Sequence, residues 1–347
     1  MRPRIAIGSV TTLLVSLTAS FLALETAIRI LRMAPPLSRG YGSNIRDPYL
    51  PYRPAPFSVE HGLTDGIEHE YRHNSFGLRD AEHSLEKGAG VFRILGIGDS
   101  FTYGAGASLE DTYLSRLESM LNGRPGDHPK VEIIKAGIPR SYPATQRLFL
   151  EHYGLKYAPD LVLVGFVPND VIDTYFGPDA IVVDPSGYLE TREAAELGTL
   201  ATVLYRKSHV FRIVLGTYVK YRIATNYQPH WEDVFRAGGY HERDWQQIES
   251  EYEKMAAVAS RAKATIVFVH IPQNGPWREE HSYPAARLAA WAAKTGVHFV
   301  DVLRAMRAAN KASGPLYYPV DGHCMPAGYS VVAAQIYAYL AQRSLVP

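Results

Sequence analysis

Five short apolar runs, separated by helical patterns, constrain the fold of this chain more than any other feature. The runs are continuous rather than alternating, which is typical of strands that are buried on both faces. Alternation of such strands with helices predicts a parallel sheet with helices on both faces. We therefore predict an α/β fold, a three-layer α/β/α sandwich around a central, mainly parallel five-stranded sheet. The predicted strands are Phe92–Ile97, Val131–Ile134, Leu161–Phe166, Thr265–Val269 and His298–Val302.

The helical patterns occupy residues 110–122, 142–156, 244–262 and 284–295, and Pro326 suits the first turn of a last helix. Their apolar residues recur at helical spacing, which predicts amphipathic helices that cover the sheet. The third pattern has one apolar stripe, formed by Trp245, Ile248, Tyr252, Met255 and Val258. The last helix is predicted to bury Tyr329, Val332, Ile336 and Leu340.

Charge and cysteine content exclude several classes of function. The 36 Lys and Arg residues nearly balance the 35 Asp and Glu residues, so the net charge is +1. No global field attracts nucleic acid, and we expect no nucleic-acid partner. Cys324 is the only cysteine in the sequence, which excludes an intramolecular disulfide and a cysteine-based zinc cluster.

The N-terminus carries a candidate membrane anchor. Ile5–Leu24 is a run of twenty residues without a charge, about 30 Å long as a helix, which matches the hydrocarbon thickness of a bilayer. Arg2 and Arg4 favour an N-terminus in the cytoplasm, so the rest of the chain would lie on the exported, extracytoplasmic side of the cytoplasmic membrane, held by a single span. A cleaved signal peptide and a buried core helix remain as alternatives. Basic residues also follow the run, at Arg29, Arg32 and Arg39.

The sequence divides into three parts. Residues 1–33 form the anchor or signal sequence, residues 34–90 a Pro-rich linker and lead-in segment, and residues 91–345 the main domain. The strand and helix alternation lapses over residues 173–244, which we interpret as an insertion. Within it, Leu200–Ile223 is amphipathic and basic, which is compatible with a solvated helix face, a lid or a membrane-surface contact.

A serine lies at the end of the first predicted strand, in Gly98-Asp99-Ser100. Strand ends are where open α/β sheets place reactive groups, and the backbone N–H groups of a following helix can stabilise an oxyanion. A helix N-cap is the alternative interpretation of this motif. Near the C-terminus, Asp321-Gly322-His323 places a carboxylate and an imidazole on one loop. Together, Ser100, His323 and Asp321 could form a nucleophile, its base and the group that orients the base.

Four separated blocks make the chain resemble the SGNH/GDSL hydrolase family. They are Gly98-Asp99-Ser100, the segment Ile134–Tyr142, Val167-Pro168-Asn169-Asp170 and Asp321-Gly322-His323. The resemblance implies a flavodoxin-like SGNH hydrolase fold and a Ser-His-Asp triad. It also implies an oxyanion hole formed by Ser100, by Gly137 or Arg140, and by the side chain of Asn169. No cofactor or metal is implied.

Three positions depart from the family pattern. Lys135 stands where asparagine is usual, Arg140 aligns with a glycine that donates its backbone N–H, and Val167 replaces another glycine. The N-terminal part is similar to a bacterial membrane-anchored subgroup, with Glu25 and Arg29 at the end of the anchor and Asn74–Arg79 before the first strand. We interpret Asn74–Arg79 as a turn that caps the sheet or a segment with a further role.

Three hypotheses for function follow. The first is a serine esterase or deacylase that hydrolyses an ester bond of an acylated small molecule or polysaccharide. The second is an O-acyltransferase that passes the acyl group to a sugar hydroxyl of an envelope or exported polysaccharide. The third is a binding or scaffold protein with little catalysis, which the altered blocks would allow. His270 and Cys324 are interpreted as packed core side chains.

Overall fold

The structure is a computed structural model, and it describes residues 7–31, 33–34, 42–178, 181–183, 187, 189–191, 198–226, 231–273, 282–319 and 321–347. Several residues on which the predictions above depend lie outside the described ranges. They are Arg2, Arg4 and Arg32 near the predicted anchor, and Pro35, Pro36 and Arg39 in the Pro-rich linker.

Strands and helices alternate along the main domain as the sequence predicts. The strands are β1 (Asn44–Ile45), β2 (Arg53–Pro54), β3 (Val59–Thr64), β4 (Ile67–Arg72), β5 (Val91–Gly98), β6 (Lys130–Gly137), β7 (Leu161–Phe166), β8 (Ile181–Val183), β9 (Leu189–Thr191), β10 (Thr265–His270) and β11 (His298–Asp301). The helices are α1 (Ile7–Ile30), α2 (Ser100–Tyr103), α3 (Tyr113–Asn122), α4 (Pro143–His152), α5 (Asn169–Phe176), α6 (Gly198–Lys207), α7 (His209–Asn226), α8 (Glu242–Arg261), α9 (Tyr283–Thr295), α10 (Leu303–Ser313) and α11 (Pro326–Gln342).

The central sheet has five parallel strands in the order β11-β10-β7-β5-β6, which confirms the predicted fold class. Counted along the chain, this is the 2-1-3-4-5 order of flavodoxin-like folds. The direction in which the chain is wound reverses between β5 and β7. In open α/β sheets, ligands bind beyond the carboxyl ends of the strands at such a reversal. Ser100 follows β5 directly, and Asn169 follows β7.

Two layers of helices cover the sheet. Helices α3, α10 and α11 pack together on one face, where the core contains Ile94, Leu163 and Val269. Helices α4, α5 and α8 pack together on the other. All residues of the predicted stripes of α8 and α11 are buried, which confirms both patterns. Helix α10, whose buried residues are Leu303 and Met306, was not predicted from the sequence.

The lead-in segment is more structured than its proline content indicates. From residue 42 onward it contains β1 to β4. Strands β3 and β4 form an antiparallel hairpin around Asp65 and Gly66, whose φ angles are 46° and 85°. A two-residue turn with both φ angles positive matches the twist of the strands, and Asp-Gly is a preferred pair for it. The prolines of this segment lie outside the hairpin, so its ladder of hydrogen bonds is unbroken.

The chain separates into two compact units. One contains residues 1–38 and 191–228, and the other contains residues 39–190 and 229–347. The predicted insertion 173–244 is therefore shared between them. Its middle belongs to the unit that contains α1, while both of its ends belong to the unit that contains the central sheet.

Glu60 of β3 predicts a pH-dependent stability. Its side chain is buried, and burial raises its pKa to about 8 although an N–H from Gly42 opposes this. The folded state therefore holds a proton that the unfolded chain releases near pH 4.5, so stability falls as the pH rises from about 4.5 to about 8. We expect Glu60→Gln to resemble the wild type at pH 4 and to be more stable at pH 9, by on the order of 3 kcal/mol.

Urea unfolding at both pH values measures this difference. Glu68→Gln is the matched control, because Glu68 lies exposed on the neighbouring strand β4. An equal gain from both substitutions at pH 9 would contradict the assignment to Glu60.

Candidate active site

A very short helix holds Ser100 at the end of β5. Asp99 caps this helix, α2, and its carboxylate accepts a hydrogen bond of 2.9 Å from the backbone N–H of Phe101. Two glycines allow α2 to lie against the strand ends. A Cβ at Gly98 would lie 2.0 Å from Thr102 Oγ1, and a Cβ at Gly137 would lie 2.1 Å from the backbone N of Tyr103. Glycine at positions 98 and 137 therefore allows the tight connection between β5 and α2 that holds Ser100.

Ser100, His323 and Asp321 meet in one hydrogen-bonded chain. His323 Nε2 lies 2.8 Å from Ser100 Oγ, and His323 Nδ1 lies 2.5 Å from Asp321 Oδ1. An ionised carboxylate only accepts hydrogen bonds, so Nδ1 carries the proton and Nε2 is left to accept from the serine. This is the arrangement in which a histidine can act as a general base toward a serine hydroxyl.

The loop that carries His323 is held from several directions. Tyr318 N donates to His323 O, and Gly322 N donates to Tyr318 O, which closes a turn with Gly322 at a φ of 85°. The ring of His323 also packs against Phe101, with centroids 4.9 Å apart. Burial alone would raise the pKa of Asp321, but its hydrogen bonds from His323 outweigh burial and lower it. Asp321 is therefore ionised at neutral pH.

The β3–β4 hairpin reaches this loop. Asp65 Oδ1 accepts a hydrogen bond of 2.9 Å from the backbone N–H of Asp321. This contact was not predicted from the sequence, although Asp65-Gly66 is a recognisable hairpin signal. The lead-in segment therefore helps to position the carboxylate that orients His323.

Arg79 holds the other side of the site. Its guanidinium donates to the carbonyls of Tyr103 and Gly104, at the C-terminal end of α2, and to the carbonyl of Ala107. It also lies over the ring of Tyr71, 4.4 Å from the centroid, and is buried. A cation at a helix C-terminus satisfies carbonyls that have no partner within the helix. Asn74–Arg79 thus does more than cap the sheet, because it supports the loop that follows Ser100.

Arg140 occupies a position that favours glycine. The segment Ile138–Ser141 forms a turn closed by a 3.0 Å bond from Ser141 N to Ile138 O, and Arg140 has a φ of 62°. Proline followed by a residue with positive φ is typical of a type II turn, where glycine is the usual third residue. This explains physically why the family pattern has glycine here. A residue other than glycine costs about 1 kcal/mol in this conformation.

Asn169 lies among carboxylates at the start of α5. Its amide Nδ2 donates to Asp99 Oδ2 at 3.0 Å and to Asp173 Oδ2 at 3.2 Å. Asp173 also forms a 3.4 Å ion pair with the guanidinium of Arg140. Both amide hydrogens of Asn169 are thus directed at carboxylates in this structure. A role as an oxyanion donor requires one of these two contacts to give way to the substrate.

Three buried acids surround Asn169. Burial raises the pKa values of Asp99 and Asp173. For Asp170, burial and the charges of these two neighbours raise the pKa well above its usual value. Each of the three neighbouring carboxylates therefore opposes the ionisation of the others in this dry part of the site. The cluster was not predicted from the sequence.

A pocket of about 520 Å³ adjoins the pair of Arg140 and Asp173. Its walls come from the lead-in segment, from β5 and β6 and from the first turns of α4. Most of the side chains that line it are apolar, among them Leu50, Tyr52, Ile97, Ile138, Phe149 and Ile181. Apolar pockets with a few polar groups at one side are typical of small-molecule sites.

The solved structures that are similar to this chain include the following three. A lipolytic protein of the G-D-S-L family from Veillonella parvula is 11% identical, with 72% of this chain and 99% of that chain covered and a TM-score of 0.43. TesA is 14% identical, with 73% and 99% covered and a TM-score of 0.44. A catalytic mutant of Axe2, an acetylxylan esterase from Geobacillus stearothermophilus, is 13% identical, with 72% and 94% covered and a TM-score of 0.45.

No curated protein sequence matches the chain. The model of the GDSL-like lipase/acylhydrolase family matches residues 97–331, which is more than half of the chain and includes Ser100, Asn169, Asp321 and His323. This protein therefore belongs to the GDSL-like lipase/acylhydrolase family and is a serine hydrolase that acts on ester bonds.

Proposed function

We propose that this protein is an esterase or deacylase in which Ser100 attacks the acyl carbonyl, with His323 as base and Asp321 as its orienting group. The observation that carries the proposal is the continuous chain of contacts, 2.8 Å from Ser100 to His323 and 2.5 Å from His323 to Asp321. His323 takes the hydroxyl proton during attack and returns it to the leaving alcohol. Water then gives a proton to His323 and attacks the acyl-serine ester, and the acid is released as His323 returns the proton to Ser100 Oγ.

Charge that develops on the carbonyl oxygen needs preorganised donors. The proposed donors are the backbone N–H groups of Ser100 and of Arg140 or Gly137, together with the amide of Asn169. The longer contact of that amide, 3.2 Å to Asp173, is the one that an oxyanion would replace. Asp173 would keep its ion pair with Arg140, so the released carboxylate retains a counter-charge.

We assign the acyl group of the substrate to the pocket beside Arg140. The pocket is mainly apolar and shares Arg140 and Asp173 with the surroundings of Asn169. The leaving group, whether a small alcohol or a polysaccharide hydroxyl, would lie on the side of the His323 loop, where Asp321 is exposed. Burial of apolar acyl carbons in such a pocket contributes about 0.8 kcal/mol per methylene.

Full-length protein in detergent, assayed with p-nitrophenyl esters of increasing acyl length, tests the proposal. We expect hydrolysis, with kcat/KM rising over the first added methylenes and then levelling off when the pocket is filled. Chromatography of the products separates hydrolysis from transfer to an added oligosaccharide. Absence of both reactions, together with no labelling by an organophosphonate, would contradict an active serine hydrolase and favour the scaffold hypothesis.

The catalytic unit is proposed to lie on the exported side of a membrane. Within the described residues, α1 is long and apolar enough over Val10–Ile30 to span a bilayer. The sequence places Arg2 and Arg4 before this span, which favours a cytoplasmic N-terminus. An enzymatic reporter that works only after export, fused after residue 60, should be active. Activity of a cytoplasmic reporter at the same position would contradict this orientation.

A further inference from the structure

A carboxylate lies within the apolar helix α1. Glu25 falls in the candidate span Val10–Ile30, yet its side chain is almost completely buried. A charged side chain within hydrocarbon is costly unless protein groups pair with it. Glu25 is paired four times, and all its partners belong to its own unit. They are Arg29 Nε at 2.7 Å, Ser208 Oγ at 2.7 Å, His209 N at 2.8 Å and Val210 N at 3.0 Å.

These contacts attach the junction of α6 and α7 to the last turns of α1. The N–H groups of His209 and Val210 belong to the first turn of α7, where a helix favours a negative charge. Arg29 Nη2 also donates to Lys207 O, and the rings of Phe21 and Phe211 pack 5.9 Å apart. Glu25 precedes the end of α1 by five residues, about 8 Å along the helix axis. The start of α7 therefore lies within about 8 Å of the depth at which α1 ends.

Helix α7 presents an apolar face that is largely exposed. Val214, Tyr218 and Tyr221 follow one another at intervals of four and three residues, so they lie on one face. Their exposed fractions are 57%, 45% and 64%. On α6, Leu200 and Val203 are exposed as well. Tyrosine is enriched where a membrane meets water, because its ring is apolar and its hydroxyl is polar.

All charged residues of the same segment are basic. Residues 198–226 contain no Asp or Glu, whereas they contain Arg206, Lys207, Arg212, Lys220 and Arg222. Basic residues beside an apolar helix face are typical of helices that lie in the surface of an anionic membrane. Both the exposed apolar face and the charge thus match one kind of partner.

We propose that α6 and α7 lie in the headgroup region of the leaflet at which α1 ends, as a lipid-binding surface module held there by Glu25. The inference rests on α1 spanning the membrane, and not on the catalytic assignment. Its occupant is a phospholipid leaflet that contains anionic headgroups. A second copy of the chain, or a protein surface that covers the same face, is the alternative that the test must separate.

Single-cysteine labelling tests the proposal in the full-length protein. The natural Cys324 is fully buried, so a thiol-reactive NBD dye reports the introduced site, and unsubstituted protein checks the background. The test variant is Tyr218→Cys, reconstituted in phosphatidylcholine vesicles with phosphatidylglycerol. Leu17→Cys, in the middle of α1, is the reference for lipid, and Ser119→Cys, exposed on α3, together with the free dye, is the reference for water.

We expect the dye at position 218 to be quenched by lipids spin-labelled near the headgroup and to be several-fold less sensitive to iodide than the free dye. Sensitivity to iodide equal to that of the free dye would overturn the proposal. Protection from iodide without quenching by lipid would also overturn it, since the face would then be covered by protein. If the dye at position 17 is accessible to iodide, α1 does not span, and the proposal fails with it.

Two substitutions of Glu25 test how the module is held. Glu25→Ala removes the acceptor for both N–H groups of α7, and we expect several-fold greater iodide quenching at position 218 with no change at position 17. Glu25→Gln keeps an oxygen acceptor and should have a smaller effect. Equal quenching in the wild type and in Glu25→Ala would overturn the role of Glu25. Organophosphonate labelling of Ser100 in each variant confirms that the other unit stays folded.

Discussion

Replacing Ser100 with alanine is expected to lower kcat for ester hydrolysis by about 10⁶-fold, the loss typical of removing the nucleophile of such a triad. The hydroxyl that contacts His323 Nε2 at 2.8 Å is the only atom removed. Organophosphonate labelling should disappear with it. The thermal unfolding temperature should change little, because the substitution removes a hydroxyl and no apolar surface.

Ser119→Ala is the matched control for this variant. Ser119 is an exposed serine of α3 whose hydroxyl donates to Ser115 O, so its removal deletes a similar hydrogen bond away from the site. Its activity and labelling should equal those of the wild type. If the Ser100→Ala protein were labelled as strongly as the wild type, the nucleophile would be a different residue.

Asn169→Ala is expected to reduce kcat by about 10²–10³, equivalent to about 2.7–4 kcal/mol, as for loss of one oxyanion donor elsewhere. The change should leave KM nearly unaltered, because the donor is needed mainly where charge develops in the transition state. Steady-state kinetics on one p-nitrophenyl ester measures both constants. Asn169→Asp is the isosteric control: it replaces the donor by an acceptor beside Asp99 and Asp173 and should be at least as damaging.

Arg140→Gly separates the backbone of this turn from its side chain. At a φ of 62°, glycine removes the conformational cost and keeps the backbone N–H, so kcat should be retained or should rise. A loss as large as that of Asn169→Ala would instead show that the guanidinium is needed, either as the counter-charge of Asp173 or in direct contact with the substrate. If Asn169→Ala had the kcat of the wild type while Ser100→Ala was inactive, the oxyanion would be stabilised by other groups.

Local patterns in the sequence were sufficient to predict the architecture. Continuous apolar runs predicted all five strands of the central sheet to within a few residues, and apolar stripes predicted the buried faces of α8 and α11. The four sequence blocks that contain Ser100, Arg140, Asn169 and His323, in this order along the chain, indicated the family. Such features are predictable because strand and helix periodicities depend on neighbours within a few residues. Ser100, His323 and Asp321 also came from sequence, and the fold brings them into contact, while their catalytic roles stay predictions.

Contacts between distant segments were decided only by the tertiary structure. Arg79 and Asp65 come from the predicted linker and lead-in segment, yet one supports the loop after Ser100 and the other supports the loop of His323. Asn169 was predicted as an oxyanion donor, and the structure shows that its amide contacts two carboxylates. Glu25 bonds to residues more than 180 positions away. Such pairs cannot be predicted from local sequence periodicity. Each forms only where packing brings two distant segments together and buries polar groups, which must then be hydrogen-bonded.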